Sequence, residues 1–424
     1  MADLDRPKLR PMHARRVDHE GQAFVALEDP LGVAASPVMI PIDGYQWVVR
    51  HFNGENRLSD IQADVLRQTG QLISTTELDQ LVQYLDRSMV LDGPTFASFR
   101  ESYRNEHTRP AAMAGRSYAG TEKSLRAQLA RFFVAENGAG LPSAEPPSPD
   151  GSLRGILSPH IDFGRGGPVY TWSYKTLLEK SDADIFVIFG VAHQYCENRF
   201  ALTRKDFATP LGLARTDRGY VDKIAALAGE HFFDDELAHR TEHSIEFQVV
   251  FLQYLLGESR DYSIVPILAG SFHDLMEAGT EPIHDPEVMR FVEALKVAER
   301  ASGKKVAYIG GIDLAHVGQE FGDPELLDAP TLERVRKFDA SMLERATQGD
   351  ASGWFKTAAA VENRYRVCGL AATYTMLHAM GNTRGTLMRY DQAVNPERTC
   401  CVSFGSVLYE SEPTTADGRT SSSS

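Results

Sequence analysis

The chain has 424 residues and a formal net charge of −14, too long for one small core and long enough for two or more domains. Hydrophobic residues make up 42% and charged residues 24%, the mix of a globular protein. The acidic balance argues against a nucleic-acid surface, which needs a basic stripe.

Nothing in the sequence approaches the ~18 consecutive apolar residues of a membrane span. The N-terminal stretch MADLDRPKLRPMHARR is polar and has no apolar signal core. The cysteines are Cys196, Cys368, Cys400 and Cys401. An adjacent pair does not make a disulfide framework, so the expected compartment is a reducing cytosol.

Residues 1–20 are polar and are expected to be loose. Residues 21–95 read as a small unit. It opens with apolar runs at Ala23–Leu27 and Pro37–Ile42. Helical patterns follow over Tyr45–Phe52 and Leu58–Arg67. A third helix starts at Ser74, with Glu77 at capping-box spacing and an apolar face of Leu78, Leu81, Val82 and Leu85. Met89-Val-Leu-Asp-Gly-Pro then reads as a short strand and turn. This pattern resembles small winged-helix domains of the PqqD type, which bind peptides; the alternative is an accessory packing domain. Acidic residues outnumber basic ones over 1–108, the wrong sign for DNA. Residues 96–108 read as a linker.

Further along, Ser124–Phe133 has a helical face of Leu125, Leu129 and Phe132. Residues 138–152 are rich in Pro, Gly and Ser and read as an exposed loop. From Gly151 onward the pattern is α/β. Strands are predicted at Gly155–Leu157, Ile185–Phe189, Tyr262–Leu268, Val306–Ile309 and Val402–Tyr409, and helices at Ser244–Leu256 and Gly369–Met380. Alternation of this kind implies a central sheet covered by helices. Residues 412–424 are polar, end in serines and are expected to be disordered.

Three predicted strands end in a loop with a histidine. Gly155-Ile-Leu-Ser is followed by Pro159-His160-Ile161-Asp162. Ile185–Phe189 is followed by Gly190-Val-Ala-His193. Val306–Ile309 is followed by Gly310-Gly-Ile-Asp313-Leu-Ala-His316. With 13 histidines in the chain, one such placement means little. Three together point to a shared crevice, because sites in open α/β sheets form outside the carboxyl ends of the strands.

Cys368 precedes a helical pattern, where a thiol is stabilised as thiolate and can ligate a metal; a buried inert cysteine is the commoner alternative. Cys196 has no comparable setting, and Cys400 and Cys401 read as structural. Glu242 and His243 open the helix to Leu256. Glu242 suits the helix dipole, and the pair also fits the rim of the site, as substrate contacts or as groups that orient the ligands. Asp313 and His316 fit a carboxylate that sets the tautomer of a histidine.

In order, these motifs resemble the Memo family, including its "AmmeMemoRadiSam system protein B" group. The motifs are RPAAMAGRSYAG (Arg109–Gly120), SPHIDFGRGGPVY (Ser158–Tyr170), FGVAHQ (Phe189–Gln194), TEHSIEFQ (Thr241–Gln248), GIDLAHVG (Gly311–Gly318) and VCG (Val367–Gly369). The resemblance spans residues 109–411. It implies a fold like that of class III extradiol dioxygenases and one metal held by His160, His193 and Cys368. Asp313 and His316 would stand beside it, with His316 in the acid/base place. The chain departs from the family at Ser117-Tyr118, where a Trp often precedes the Tyr, and at His160-Ile161-Asp162-Phe163, so no substrate contact carries over from either motif.

Two imidazoles and a thiolate favour iron or copper, with zinc possible, over magnesium or calcium. Three protein ligands leave positions for water, substrate or oxygen. The expected function is a metal-dependent oxidoreductase, dioxygenase-like, acting on a small molecule or peptide. The resemblance also implies a pathway with radical-SAM and AMMECR-type proteins. Two alternatives are a non-catalytic metal-binding adaptor that recruits a peptide or protein through residues 1–108, and a zinc hydrolase.

Overall fold

The computed structural model describes residues 4–143, 149, 151–257, 260–324 and 326–411. The middle of the 138–152 loop and the predicted tail from residue 412 lie outside the described residues. The chain divides into two compact units, 1–106 and 107–424.

The first unit begins with an antiparallel sheet of β1 (His13–His19), β2 (Gln22–Glu28) and β3 (Val38–Pro41). Its helices are α1 (Ile42–Trp47), α2 (Leu58–Thr69), α3 (Thr75–Arg87) and α4 (Pro94–Asn105). The capping box is present: the Glu77 N–H donates to Ser74 Oγ at 3.2 Å and the Ser74 N–H to Glu77 Oε2 at 2.9 Å. Leu78, Val82 and Leu85 are buried.

Several expectations for this region change. Residues 13–19, expected to be loose, form β1, which looks polar because most of it is exposed. Upstream, the Arg10 guanidinium is buried in an ion pair with Asp29 at 2.8 Å and lies 3.9 Å from the Phe96 ring centroid. The helix expected over Tyr45–Phe52 stops at Trp47, and a single 3-10 turn follows at Val49–His51. The strand expected at Met89–Leu91 is reduced to an isolated bridge between Leu91 and Leu9, next to a left-handed Met89 at φ 57. The expected linker 96–108 is helical to Asn105, with Pro94 in the first turn, where proline is tolerated.

The second unit contains β4 (Thr108–Arg109), α5 (Glu122–Val134), β5 (Leu153–Ser158), α6 (Phe163–Lys180) and β6 (Ile185–Val191). Next come β7 (Phe200–Leu202), β8 (Asp206–Thr209), β9 (Gly212–Ala214), α7 (Arg218–Ala228), α8 (His243–Leu256) and β10 (Ser263–Ala269). The chain continues through α9 (His273–Glu277), α10 (Pro286–Ser302), β11 (Val306–Gly311), β12 (His316–Val317), α11 (Ala329–Thr347) and α12 (Ala351–Ala359). It closes with α13 (Leu370–Met380), β13 (Thr383–Val394) and β14 (Cys401–Ser411). All five strands predicted here are present.

The main sheet runs β12-β14-β5-β11-β6-β10-β7, with β13 on β14. Its centre, β5-β11-β6-β10, is parallel, and the flanking pairings are antiparallel. Helices cover both faces. Side chains of α5, α6 and α8 share one core with the sheet, and those of α7, α10, α12 and α13 share the other. Continuous apolar strands such as Ile185–Val191, buried throughout, belong in such a sheet. No described helix is long and apolar enough to cross a membrane.

Glycine lets α8 sit close to the strand ends. A Cβ on Gly311 would lie 2.6 Å from the Ser244 carbonyl oxygen and 2.7 Å from Gln248 Nε2. Backbone cannot move aside cheaply, so Gly311→Ala is expected to destabilise the protein by ~1–3 kcal/mol, read as a lower urea midpoint. An unchanged midpoint would show that α8 does not pack this closely.

Candidate metal centre

The carboxyl ends of β5, β6 and β11 and the amino ends of α8 and α13 converge. β5 ends at Ser158, two residues before His160. The His160 ring is buried, its Nδ1 is 2.9 Å from the Gly311 carbonyl oxygen, and its backbone N–H donates to Asp313 Oδ1 at 3.0 Å. With Nδ1 engaged, Nε2 faces the crevice, 3.3 Å from Cys368 Sγ. His193 follows β6. Its Nδ1 lies 3.1 Å from both oxygens of Glu242, and its N–H donates to Glu242 Oε2 at 3.1 Å. Glu242 is the N-cap of α8 and accepts the His243 N–H at 2.7 Å and the Ser244 N–H at 2.9 Å.

The structure therefore brings His160, His193 and Cys368 together, as expected from the sequence, and adds His243. Ligand nitrogens of His160, His193 and His243 lie within 4.8 Å of one another. The ring centroids are 4.9 Å apart for His160–His193, 5.3 Å for His160–His243 and 4.8 Å for His193–His243. His243, expected only as a substrate contact or an orienting group, stands with a ring nitrogen beside those of His160 and His193. The signal for that was its position as first residue of α8, but its direction depends on how α8 meets the sheet.

Asp313 and His316 are close in sequence but have separate partners. Asp313 braces the His160 backbone, and its Oδ2 lies 3.7 Å from His160 Nε2. His316 Nδ1 lies 3.2 Å from the Leu314 carbonyl oxygen, and its ring meets Phe321 edge-on at 5.2 Å. Among the described residues, no hydrogen bond joins the Asp313 carboxylate to the His316 ring. The carboxylate that does hold a histidine ring is Glu242.

Burial sets the charge states. Desolvation, reinforced by His193 and His243, pushes His160 well below its ordinary pKa, so it is a neutral imidazole fit to ligate. Desolvation also lowers His243, against the pull of Glu242. At His193 desolvation is outweighed by Glu242 and Cys368, and the pKa rises well above the ordinary value. Burial raises Asp313 to about 7, against the N–H groups of His160 and Ile161, and lowers His316 to about 4. Desolvation pushes the Cys368 thiol up. Burial thus opposes the thiolate that a helix start favours, whereas a coordinated thiol is deprotonated outright.

Beside His193 and Cys368 is a cavity of about 310 Å³, also lined by Phe272, Met276, Asn363 and Arg366. The turn that carries Cys368 is strained. Glu362, Asn363 and Arg366 have φ of 51°, 45° and 52°, a region that costs most residues ~1–2 kcal/mol. Strain of this kind gathers at functional sites.

The sequence reading missed what anchors α8. Arg109 and Glu246 form an ion pair with both side chains fully buried. Arg109 also donates to the His239 carbonyl at 2.7 Å and the Glu242 carbonyl at 2.6 Å. Glu246 accepts from the N–H groups of Ala112 at 3.1 Å and Met113 at 2.9 Å, and from the Tyr118 hydroxyl. The available clue was a charged residue inside an otherwise apolar helix. Arg109→Met leaves a buried carboxylate without its cation and is expected to cost ~3–5 kcal/mol, measured by chemical unfolding. Adding Glu246→Gln is expected to recover part of that loss; a purely additive double mutant would contradict the coupling.

The chain has relatives among known proteins. A "MEMO1 family protein" of Aquifex aeolicus is 26% identical over 396 residues, covering 92% of this chain and 96% of its own. Another from Thermus thermophilus is 26% identical over 353 residues, covering 83% and 98%. One from Methanopyrus kandleri is 30% identical over 292 residues, covering 66% and 91%. The family profile described as "Memo-like protein" matches residues 109–408, the part that builds the whole histidine cluster, and the chain belongs to that family.

Proposed function

We propose that the chain is a metal-dependent oxidoreductase that holds one redox-capable divalent metal, iron or copper in preference to zinc, with His160, His193 and Cys368, and His243 as a further donor. The observation that carries this reading is the convergence of three imidazoles within 4.8 Å, two with the opposite ring nitrogen already engaged by protein. Metal-bound histidines are held in that way. Imidazole and thiolate donors suit iron, copper or zinc and do not suit magnesium or calcium. Bound there, the metal would supply redox chemistry and open positions for a small molecule.

The chain's own groups prepare the site. Glu242 fixes the His193 ring and offers its negative charge to the cluster. Asp313 holds the His160 backbone and, at about 7, is poised to keep or release a proton. His316 is neutral near pH 7, and its ring is held by the backbone of Leu314 and of Arg366.

The mixed sheet with its site at the strand ends supports a class III extradiol dioxygenase-like fold. The sheet and helices of the first unit are compatible with a winged-helix domain of the PqqD type. A second reading, an adaptor that recruits a peptide through this unit, is favoured by one observation: the match to the Aquifex relative covers 92% of this chain and so reaches well into residues 1–106.

Elemental analysis of protein purified without oxygen is expected to give about one transition metal per chain, lowered by His160→Ala and by Cys368→Ala. Full occupancy in both variants would refute the ligand assignment. Glu242→Gln is expected to weaken metal binding by ~10–100-fold in a chelator competition. Stoichiometric zinc together with oxygen-independent turnover would favour a hydrolase.

A further inference from the structure

The cavity beside His193 and Cys368 is unequal in its chemistry. Val191, Phe272, Met276 and Leu370 give it apolar walls, whereas its polar lining consists of His193, Ser271, His273, Asn363, Arg366 and Cys368. No carboxylate is among the described residues that line it. That is notable in a chain with a net charge of −14.

The polar groups are arranged as donors. Arg366 is held by Asp323, with Nη2 2.8 Å from Oδ1 and Nη1 3.3 Å from Oδ2, and Nη1 also reaches the His316 carbonyl at 3.2 Å. These contacts fix the guanidinium plane while Nε–H has no acceptor among the described residues. Asn363 Oδ1 already accepts the Val367 N–H at 3.0 Å, so its amide NH2 is the end left to donate. Ser271 Oγ accepts the His273 N–H at 3.0 Å and keeps its own proton. The residues that present Arg366 and Asn363 are the left-handed ones, with φ of 52° and 45°, so the strain of the turn falls on the donors themselves.

We propose that this cavity takes a small molecule with an apolar body and one carboxylate, the carboxylate received by Arg366 and Asn363. At about 310 Å³ the cavity stands at the lower end of the range for small-molecule sites, too small for a folded partner. With its charge shared with Asp323, Arg366 offers its remaining Nε–H, beside the Asn363 amide, to the oxygens of a planar carboxylate. The apolar body would lie between Phe272, Met276 and Leu370, reaching toward His193 and Cys368. The inference rests on the proposed metal site only for what happens to the ligand, since the preference for a carboxylate comes from the donors of Arg366 and Asn363.

The test is calorimetric titration of the full chain, metal-stripped and iron(II)-loaded, with 3-phenylpropionate, 3-phenylpropionamide and 3-phenylpropylamine. The metal-stripped protein is expected to bind the carboxylate at least ~10-fold more tightly than the amide and to reject the amine, since hydrogen bonds to a charged group are stronger than those between neutral groups. Arg366→Gln should abolish that preference and Arg366→Lys should keep part of it. Should Arg366→Gln fail to fold, Asn363→Ala carries the same test and should reduce the preference. Equal binding of carboxylate and amide, no binding of any probe, or a preference unchanged in these variants would overturn the proposal. So would carboxylate binding confined to the iron-loaded protein, because the metal would then be the receptor. A carboxylate preference in a chain that takes up no metal would sink the proposed function and leave this inference standing.

Discussion

The Glu242 carboxylate is the contact on which the rest of the site depends. It is almost fully buried and would be costly to keep ionised without partners. Its partners include the N–H and Nδ1 of His193, the N–H groups of His243 and Ser244, and His243 Nδ1 at 3.2 Å. Desolvation opposes its charge, yet the histidines and the Ser244 N–H hold its pKa far below the usual carboxylate range. One side chain thus caps α8, ties the end of β6 to it and sets the ring of one proposed ligand.

That carboxylate can reach β6 only because α8 comes down on nearly bare backbone. A Cβ on Gly190 would lie 2.5 Å from Ser244 Oγ and 2.6 Å from Ile245 Cγ1. Ser244 Oγ in turn accepts the Val191 N–H at 3.0 Å and lies 3.2 Å from the Val191 carbonyl oxygen. From the other side Arg109 grips the Glu242 carbonyl and Glu246 one turn further along the helix. A buried ion pair is weak evidence of net stability, but removing one partner is expensive. Its effect here is to fix the register of α8, and with it the aim of His243.

These facts explain what was legible in the sequence. His160, His193, Asp313 and His316 stood out because each follows a run that only a buried strand produces, and Cys368 because Gly369 and an apolar helix follow it. Glu242 read equally well as a partner of the helix dipole or as a substrate contact or orienting group; it is the N-cap of α8 and meets the His193 ring. The place of His243 could not be read, since it depends on packing between α8 and the sheet. The Arg109–Glu246 pair spans 137 residues of sequence, beyond the reach of any local pattern. β1 and β13 were missed because strands with much of their surface exposed carry no buried face: His13–His19 is nearly all exposed, and Thr383–Val394 is held by its pairing to β14.

The same geometry bears on which metals the cluster suits. Two carboxylates stand close to the histidines, and either would be a natural ligand for a hard cation. Glu242 is turned to the back of His193 and the end of α8. Asp313 accepts the His160 backbone N–H through Oδ1, while its Oδ2 lies 3.7 Å from His160 Nε2. Imidazoles and a thiol make up most of the groups that meet there, and desolvation pushes the thiol up. Nitrogen and sulfur donors suit softer transition metals. Glu242 and Asp313 thus act first on the histidines, one on a ring and the other on a backbone N–H.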